Sequence, residues 1–182
     1  MLLEWRDSYI RWLQSHNLWI EDHPESYDMS VSMKYPELAH TLSEVYNETY
    51  HLGKLPPVPH AIRSIQRLHQ AGASLHVVSS YTDQYEAMKT RERNLEAVFG
   101  EVFQSFTALP LGSSKYDYIS KHSKDSLFVE DSPKNLVDAI KAGLDPRNCY
   151  LVAQPYNLNS ELDDVVFRGN WVQITHRIFG ET

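Results

Sequence analysis

Apolar positions along the chain change their period, and the changes divide it. Leu2, Trp5, Tyr9, Trp12 and Leu13 share one helical face, so the sequence opens inside an amphipathic helix. From Asn17 to Tyr35 the periodicity dissolves into a loop-like stretch containing His23-Pro24. Pro36 then starts a second helix with Leu38, Leu42, Val45, Tyr46 and Thr49 on its face, and Gly53 ends it. Leu55-Pro56-Pro57-Val58-Pro59 reads as a stiff linker. The pattern predicts a small helical module over 1–55 and a second unit over 56–182.

After the linker the rhythm becomes α/β. Ile62, Ile65 and Leu68 mark a helix ending near Gly72, and Leu75-His76-Val77-Val78-Ser79 a strand. Tyr85, Met88, Leu95, Val98 and Phe99 predict a helix with a break near Asn94, and 102–106 a further strand. Gly112-Ser113-Ser114-Lys115 leads into a helix with Tyr118 and Ile119. Leu127-Phe128-Val129 reads as a buried strand that runs into two adjacent acids, Glu130 and Asp131. Ser132 is a good N-cap and Pro133 a good first helical residue; Leu136, Val137 and Ile140 face the helix, and Gly143 stops it. A strand over 149–152 follows, and Val165-Val166-Phe167 and Trp171-Val172-Gln173-Ile174 read as short strands around Gly169-Asn170. Strands alternating with helices predict βαβ units and a mainly parallel, Rossmann-like sheet.

Composition narrows the class. A chain of 182 residues fits one domain with a small insertion. A net charge of −7 without a Lys/Arg cluster argues against a general nucleic-acid surface. The single cysteine, Cys149, excludes an internal disulfide, fits a reducing compartment and reads as a buried strand residue. No apolar stretch is long enough to span a membrane and no signal-peptide pattern is present, so the expectation is a cytoplasmic protein. The nine histidines form no pair at ligand spacing.

Three polar positions suit the handling of phosphate. Ser79 and Ser80 end an apolar strand and offer hydroxyls and backbone N–H groups ahead of a helix. Lys115 opens the helix before the acidic strand and brings a positive charge. Glu130 and Asp131 repel each other unless a cation or donor neutralises them, which points to Mg²⁺. Each has a bland alternative: a helix cap, a solvated lysine, an acidic turn. Their order at successive strand ends is the argument for a shared site.

From Pro56 to Ala153 this order resembles the haloacid dehalogenase-like (HAD) superfamily of phosphohydrolases. Leu75 to Ser80 is similar to its second motif, Lys115 to its third-motif lysine, and Leu127 to Asn135 to its acidic fourth motif. The helical residues before Pro56 resemble the cap that many members insert after their first motif, and the layout is similar to deoxyribonucleotidase-type members. The resemblance implies an HAD-like α/β fold with a small helical cap, Mg²⁺ as cofactor, and Asp131 ahead of Glu130 as its ligand. It further implies Ser79, Ser80 and Lys115 as phosphate-binding residues, and a small phosphorylated molecule, such as a nucleotide, as ligand.

The first motif of that family, a strand ending in Asp-x-Asp with the nucleophile and the general acid/base, has no match in the sequence. Asp163-Asp164 precedes an apolar run instead of following one. The expectation is therefore a phosphatase scaffold that hydrolyses phosphomonoesters in a full-length form and is inactive as residues 1–182, with no catalytic residue assigned. The alternative is a non-catalytic binding or regulatory module. A receiver-type signalling domain fits less well, because the acidic pair comes late in the chain. The family's strand order puts the missing strand mid-sheet, leaving a slot that 165–174 or a partner chain, as in a dimer, would fill.

Overall fold

The computed structural model describes residues 1–122, 124–158 and 161–181. Its helices and strands are α1 (Trp5–Ser15), α2 (Ala39–Asn47), α3 (Ala61–Gln70), β1 (Leu75–Ser80), α4 (Tyr85–Phe99) and β2 (Phe103–Leu109), then α5 (Tyr116–Ile119), β3 (Phe128–Glu130), α6 (Pro133–Lys141), β4 (Cys149–Val152), β5 (Phe167–Gly169) and α7 (Trp171–Phe179). Short 3-10 turns cover Met29–Ser32, Pro36–Leu38 and Tyr50–Lys54.

All strand pairings are parallel, as a chain of strand–helix–strand units requires. They fall in two ladders instead of the single sheet expected: β1 pairs with β2, and β3 with β4 and β5. Among the described residues no strand joins β1 to β3, so one edge of each lacks a ladder partner. The 165–174 segment does not fill that place. β5 pairs with β4 from Tyr150↔Phe167 to Val152↔Gly169, on the side away from β3. Apolar side chains nevertheless unite the two ladders, because Val77 of β1 and Val152 of β4 share one core with Leu2, Leu3, Ile65, Leu95, Trp171 and Ile174.

The helical residues pack on a core of their own. Tyr9 and Leu13 of α1, Tyr46 of α2 and Met33, just after the Met29–Ser32 turn, are buried together, with Trp12, Trp19 and Leu42 against them. Trp5 touches both cores, while Leu52 and Leu55 belong with the strands. Polar bonds join the two parts. Asn47, fully buried, accepts from Trp5 Nε1 at 2.7 Å and donates to the Tyr81 carbonyl at 2.8 Å, fixing the end of α2 to the residue after β1.

Three local expectations are corrected. The 171–174 segment is helix: Asn170 and Gln173 form a reciprocal capping box, and Gly180 ends α7 at φ 68°. These end signals outweigh the alternation of Trp171-Val172-Gln173-Ile174. Asn94 does not break α4 but sits buried within it, donating to the Leu55 carbonyl at 3.3 Å. Leu127 lies outside β3 and is exposed, so the buried end of that strand is Glu130.

Cys149 is 1% exposed at the start of β4, and burial, helped by the Asp145 charge, pushes its thiol up to about 11. We expect a thiol reagent such as dithiobisnitrobenzoate to leave the native protein unlabelled and to label it fully after guanidinium unfolding. Rapid labelling of the folded chain would contradict this packing. No helix among the described residues is long and apolar enough to cross a membrane.

Candidate functional site

The site is built at the carboxyl ends of β1 and β3, joined by the loop that leads into α5. Ser80 Oγ donates to the Ser113 carbonyl at 2.9 Å. Two residues later Lys115 is 6% exposed, and its ammonium donates to Glu130 Oε2. Ser114 Oγ donates to Asp138 Oδ2 of α6 at 2.6 Å, which pins the loop from its other side. The residues at 79–80, 113–115 and 130–131 are thus held in one neighbourhood, although they come from three parts of the chain.

Glu130 is committed to the fold. Its Oε1 accepts the backbone N–H groups of Asp131 (2.9 Å) and Ser132 (3.3 Å), while Oε2 takes the Lys115 ammonium. Ser132 makes no side-chain cap of α6, and this turned-back carboxylate satisfies its N–H instead. Burial pushes the Glu130 carboxyl up, and the Lys115 charge pulls it back.

Asp131 is the more exposed of the two acids. Its side chain is 22% exposed, and Oδ2 accepts the Met1 ammonium at 3.2 Å and the Tyr156 hydroxyl at 2.9 Å. Burial alone would push this carboxyl up, but the Met1 ammonium and the Tyr156 hydroxyl help hold it well below the usual carboxylate range. Tyr156 is pushed up by its burial and by the Asp131 charge, so it stays a proton donor to that oxygen. Asn157, 2% exposed, donates to the Asp131 carbonyl at 2.8 Å and to the Val152 carbonyl at 2.9 Å, clamping the ends of β3 and β4 together.

The serines divide similarly. Ser80 spends its hydroxyl on the loop, whereas Ser79 is half-buried and makes no side-chain hydrogen bond among the described residues. The expected backbone donors after β1 are in use: Tyr81 and Thr82 N–H both donate to the Leu109 carbonyl, at 3.0 and 3.1 Å. The hydroxyl of Ser79, rather than those amides, is the group left for a ligand.

The helical segment reaches this place through one loop. Arg6 donates to the Ser26 and His23 carbonyls at 3.1 and 3.3 Å, and its guanidinium lies 5.6 Å from the Tyr156 ring centroid. The loop so held sets Tyr27 edge-on to Tyr156, with ring centroids 5.3 Å apart. A cleft of about 280 Å³ opens between α2 and the residues after β1, lined by Glu44, Glu48, Tyr81, Asp83 and Pro110 among others.

Sequence reasoning missed Arg6, Tyr156, Asn157 and Asn47. The first three act through contacts distant in the chain, and no spacing announces them. Asn47 had a faint signal, a polar side chain set beside an otherwise apolar helix face.

No protein-family model and no curated protein sequence matches the chain. Solved structures do. A predicted phosphatase from Clostridium acetobutylicum superposes with a TM-score of 0.65 at 16% identity, over 96% of this chain and 89% of that one. A protein assigned as a phosphoglycolate phosphatase from Lactobacillus delbrueckii subsp. bulgaricus gives 0.57 at 18% identity, over 80% and 64%. A protein assigned as a beta-phosphoglucomutase from Thermotoga maritima gives 0.59 at 15% identity, over 98% and 94%. The chain has the HAD-like fold. Among the described residues no group of three or more His, Cys, Asp or Glu side chains gathers to hold a metal ion.

Proposed function

We propose that residues 1–182 carry the metal- and phosphate-binding part of an HAD-type phosphomonoesterase, with the helical segment as its cap and a small phosphorylated molecule as its substrate. The observation that carries this is the pair of contacts that tie the end of β1 to the end of β3, Ser80 to the Ser113 carbonyl and Lys115 to Glu130, on a fold shared with phosphatases. Asp131 is the residue to hold Mg²⁺: it is the accessible carboxylate, whereas the Glu130 oxygens already serve Lys115 and two amides. Mg²⁺ prefers a few carboxylates completed by water, so the donor set fits a weak site. When bound, the ion would balance charge on the phosphoryl oxygens.

The remaining roles follow from geometry. Ser79 Oγ is free to donate to a phosphoryl oxygen. Lys115 keeps Glu130 and the strand-to-helix turn in place, which orients Asp131. Tyr156 and the Met1 ammonium both donate to Oδ2 of Asp131. Glu44, Glu48 and Asp83 line the adjacent cleft and accept hydrogen bonds, which favours a substrate whose non-phosphate part carries hydroxyl or amino donors. A lone buried thiol fits a cytoplasmic setting.

Titration calorimetry with MgCl₂ tests the metal assignment. The parent chain is expected to bind weakly, and Asp131→Asn to lose roughly tenfold or more, the worth of one charged ligand. Equal binding by Asp131→Asn, with the fold intact by circular dichroism, would remove Asp131 from the site.

A further inference from the structure

We propose that the helical segment holds a second ligand site, a cleft between α1 and the Tyr50–Lys54 turn that binds a phosphate group. The cleft has a volume of about 330 Å³ and is lined by Arg11, Lys54, His51, Ser8 and Trp12, with Ser15 and Pro56 at its rim. No carboxylate lines it, and it shares no residue with the acidic end of β3. In a protein of net charge −7, a concavity with two cations and no acid stands out from the rest of the surface. Neither cation is neutralised. Among the described residues Arg11 donates to Ser8 Oγ at 2.9 Å, Lys54 Nζ lies 5.0 Å from the Tyr50 ring centroid, and neither forms an ion pair.

A separate observation points to a ligand. Tyr46 is 0% exposed; its ring lies 6.2 Å from His51, nearly parallel, and 5.7 Å from Trp12, both of which line the cleft. Its hydroxyl is buried beside Ser8, which lines the cleft, short of a well-formed hydrogen bond. Arg91 of α4 likewise has Nη1 buried without a partner and forms no ion pair among the described residues. Its charge and that of Arg11 both act on the Tyr46 hydroxyl. Most buried polar groups are paired, and a buried guanidinium without a counter-charge is costly. An anion in the cleft would bring negative charge to Arg11 and Lys54, which line it, and close to the Tyr46 hydroxyl beside Ser8. The donors that line it come from two elements: the Arg11 fork and the Ser8 and Ser15 hydroxyls from α1, and the Lys54 ammonium from the turn. They outnumber what a two-oxygen carboxylate can take and suit the three or four oxygens of a phosphate. Trp12 and His51 add a flat wall on which a ring attached to that phosphate would lie.

The test is a titration of the full chain, without Mg²⁺ and at fixed ionic strength, with inorganic phosphate and separately with phenyl phosphate. Tryptophan fluorescence and calorimetry give the readouts. Saturable binding is expected. Arg11→Gln and Lys54→Gln should each weaken it roughly tenfold, the loss of one charged donor. Both side chains are exposed, so these variants should keep the parent's circular dichroism. Tyr46→Phe, which removes only the hydroxyl, should also weaken binding. Ser79→Ala and Asp131→Asn should leave it unchanged, which separates this site from the one at β1 and β3. Tighter binding of phenyl phosphate identifies a phosphate ester as the ligand; equal affinity identifies the free ion. Absence of saturable binding would overturn the proposal. So would an equal response to sodium chloride alone, or binding lost in Ser79→Ala or Asp131→Asn and kept in Arg11→Gln.

Discussion

Replacing Lys115 by methionine is expected to destabilise the fold by about 3–5 kcal/mol, because it strands a buried carboxylate. Glu130 is 3% exposed and Lys115 6%, so neither end of the pair can turn to water. Methionine fills the lysine's space but leaves Glu130 with two amide donors and no counter-charge. The double variant Lys115→Met/Glu130→Gln should recover most of the loss, since glutamine keeps an acceptor for those amides and removes the charge. Burial raises the Glu130 carboxyl above its ordinary value. The cost of holding it ionised in the fold is therefore absent below that ordinary value, grows as pH rises from there to the raised one, and is full above it. The deficit of Lys115→Met relative to the parent should accordingly be larger at about pH 7 than at about pH 5. Urea unfolding followed by tryptophan fluorescence measures all three. A loss below about 1 kcal/mol in the single variant, the range of an exposed pair, would mean that the ion pair is not buried in solution.

The elements that sequence analysis anticipated are those whose causes are local. Ile65 and Leu68 recur at helical spacing, and Pro133 with Gly143 brackets α6 at φ 101° on its exit. Val77 and Val78 make β1 apolar enough to read as a buried strand. The α7 segment was misread because its alternation is real, while the Asn170–Gln173 box that starts the helix is a pair of hydrogen bonds that only a folded turn reveals. The same limit explains the site. Ser79, Lys115, Glu130 and Asp131 stand at strand and helix ends and could be picked out singly, but their division of labour could not. That Glu130 turns back onto Asp131 and Ser132 N–H, leaving Asp131 outward, depends on side-chain direction. Tyr156 and Asn157 come from a stretch with little pattern, and they matter only because β4 ends beside β3. The split of the strands into two ladders is a long-range pairing matter that periodicity does not encode.

Residues 1–182 are expected to release no phosphate above background from sugar phosphates or nucleotides, with Mg²⁺ present or chelated. On the proposed function the side chains at the ends of β1 and β3 hold a phosphoryl group and balance its charge, yet among the described residues none is placed to attack it. Ser79 has no base within hydrogen-bond reach among the described residues, Lys115 is bound to Glu130, and Asp131 is held by Met1 and Tyr156. Lengthening the chain at its amino end by an apolar strand ending in Asp-x-Asp should change this. Met1 lies against Asp131, so such a strand would deliver its carboxylates to the acid proposed here to hold the metal. It would also offer ladder partners to the unpaired edges of β1 and β3, at roughly 0.5–1.5 kcal/mol net for each hydrogen bond made. The lengthened chain should therefore both gain turnover, by about 10³-fold or more over the short one, and unfold at higher urea. Changing the first aspartate of the added motif to asparagine should remove the turnover and keep the stability, which separates chemistry from folding. Mg²⁺-dependent hydrolysis by the 182-residue chain that disappears in Asp131→Asn would overturn the view that these residues lack a nucleophile. A lengthened chain that becomes more stable but stays inert would instead favour the binding-module alternative. There Asp131 and Lys115 hold a ligand or the fold in place, and no phosphoryl group is transferred.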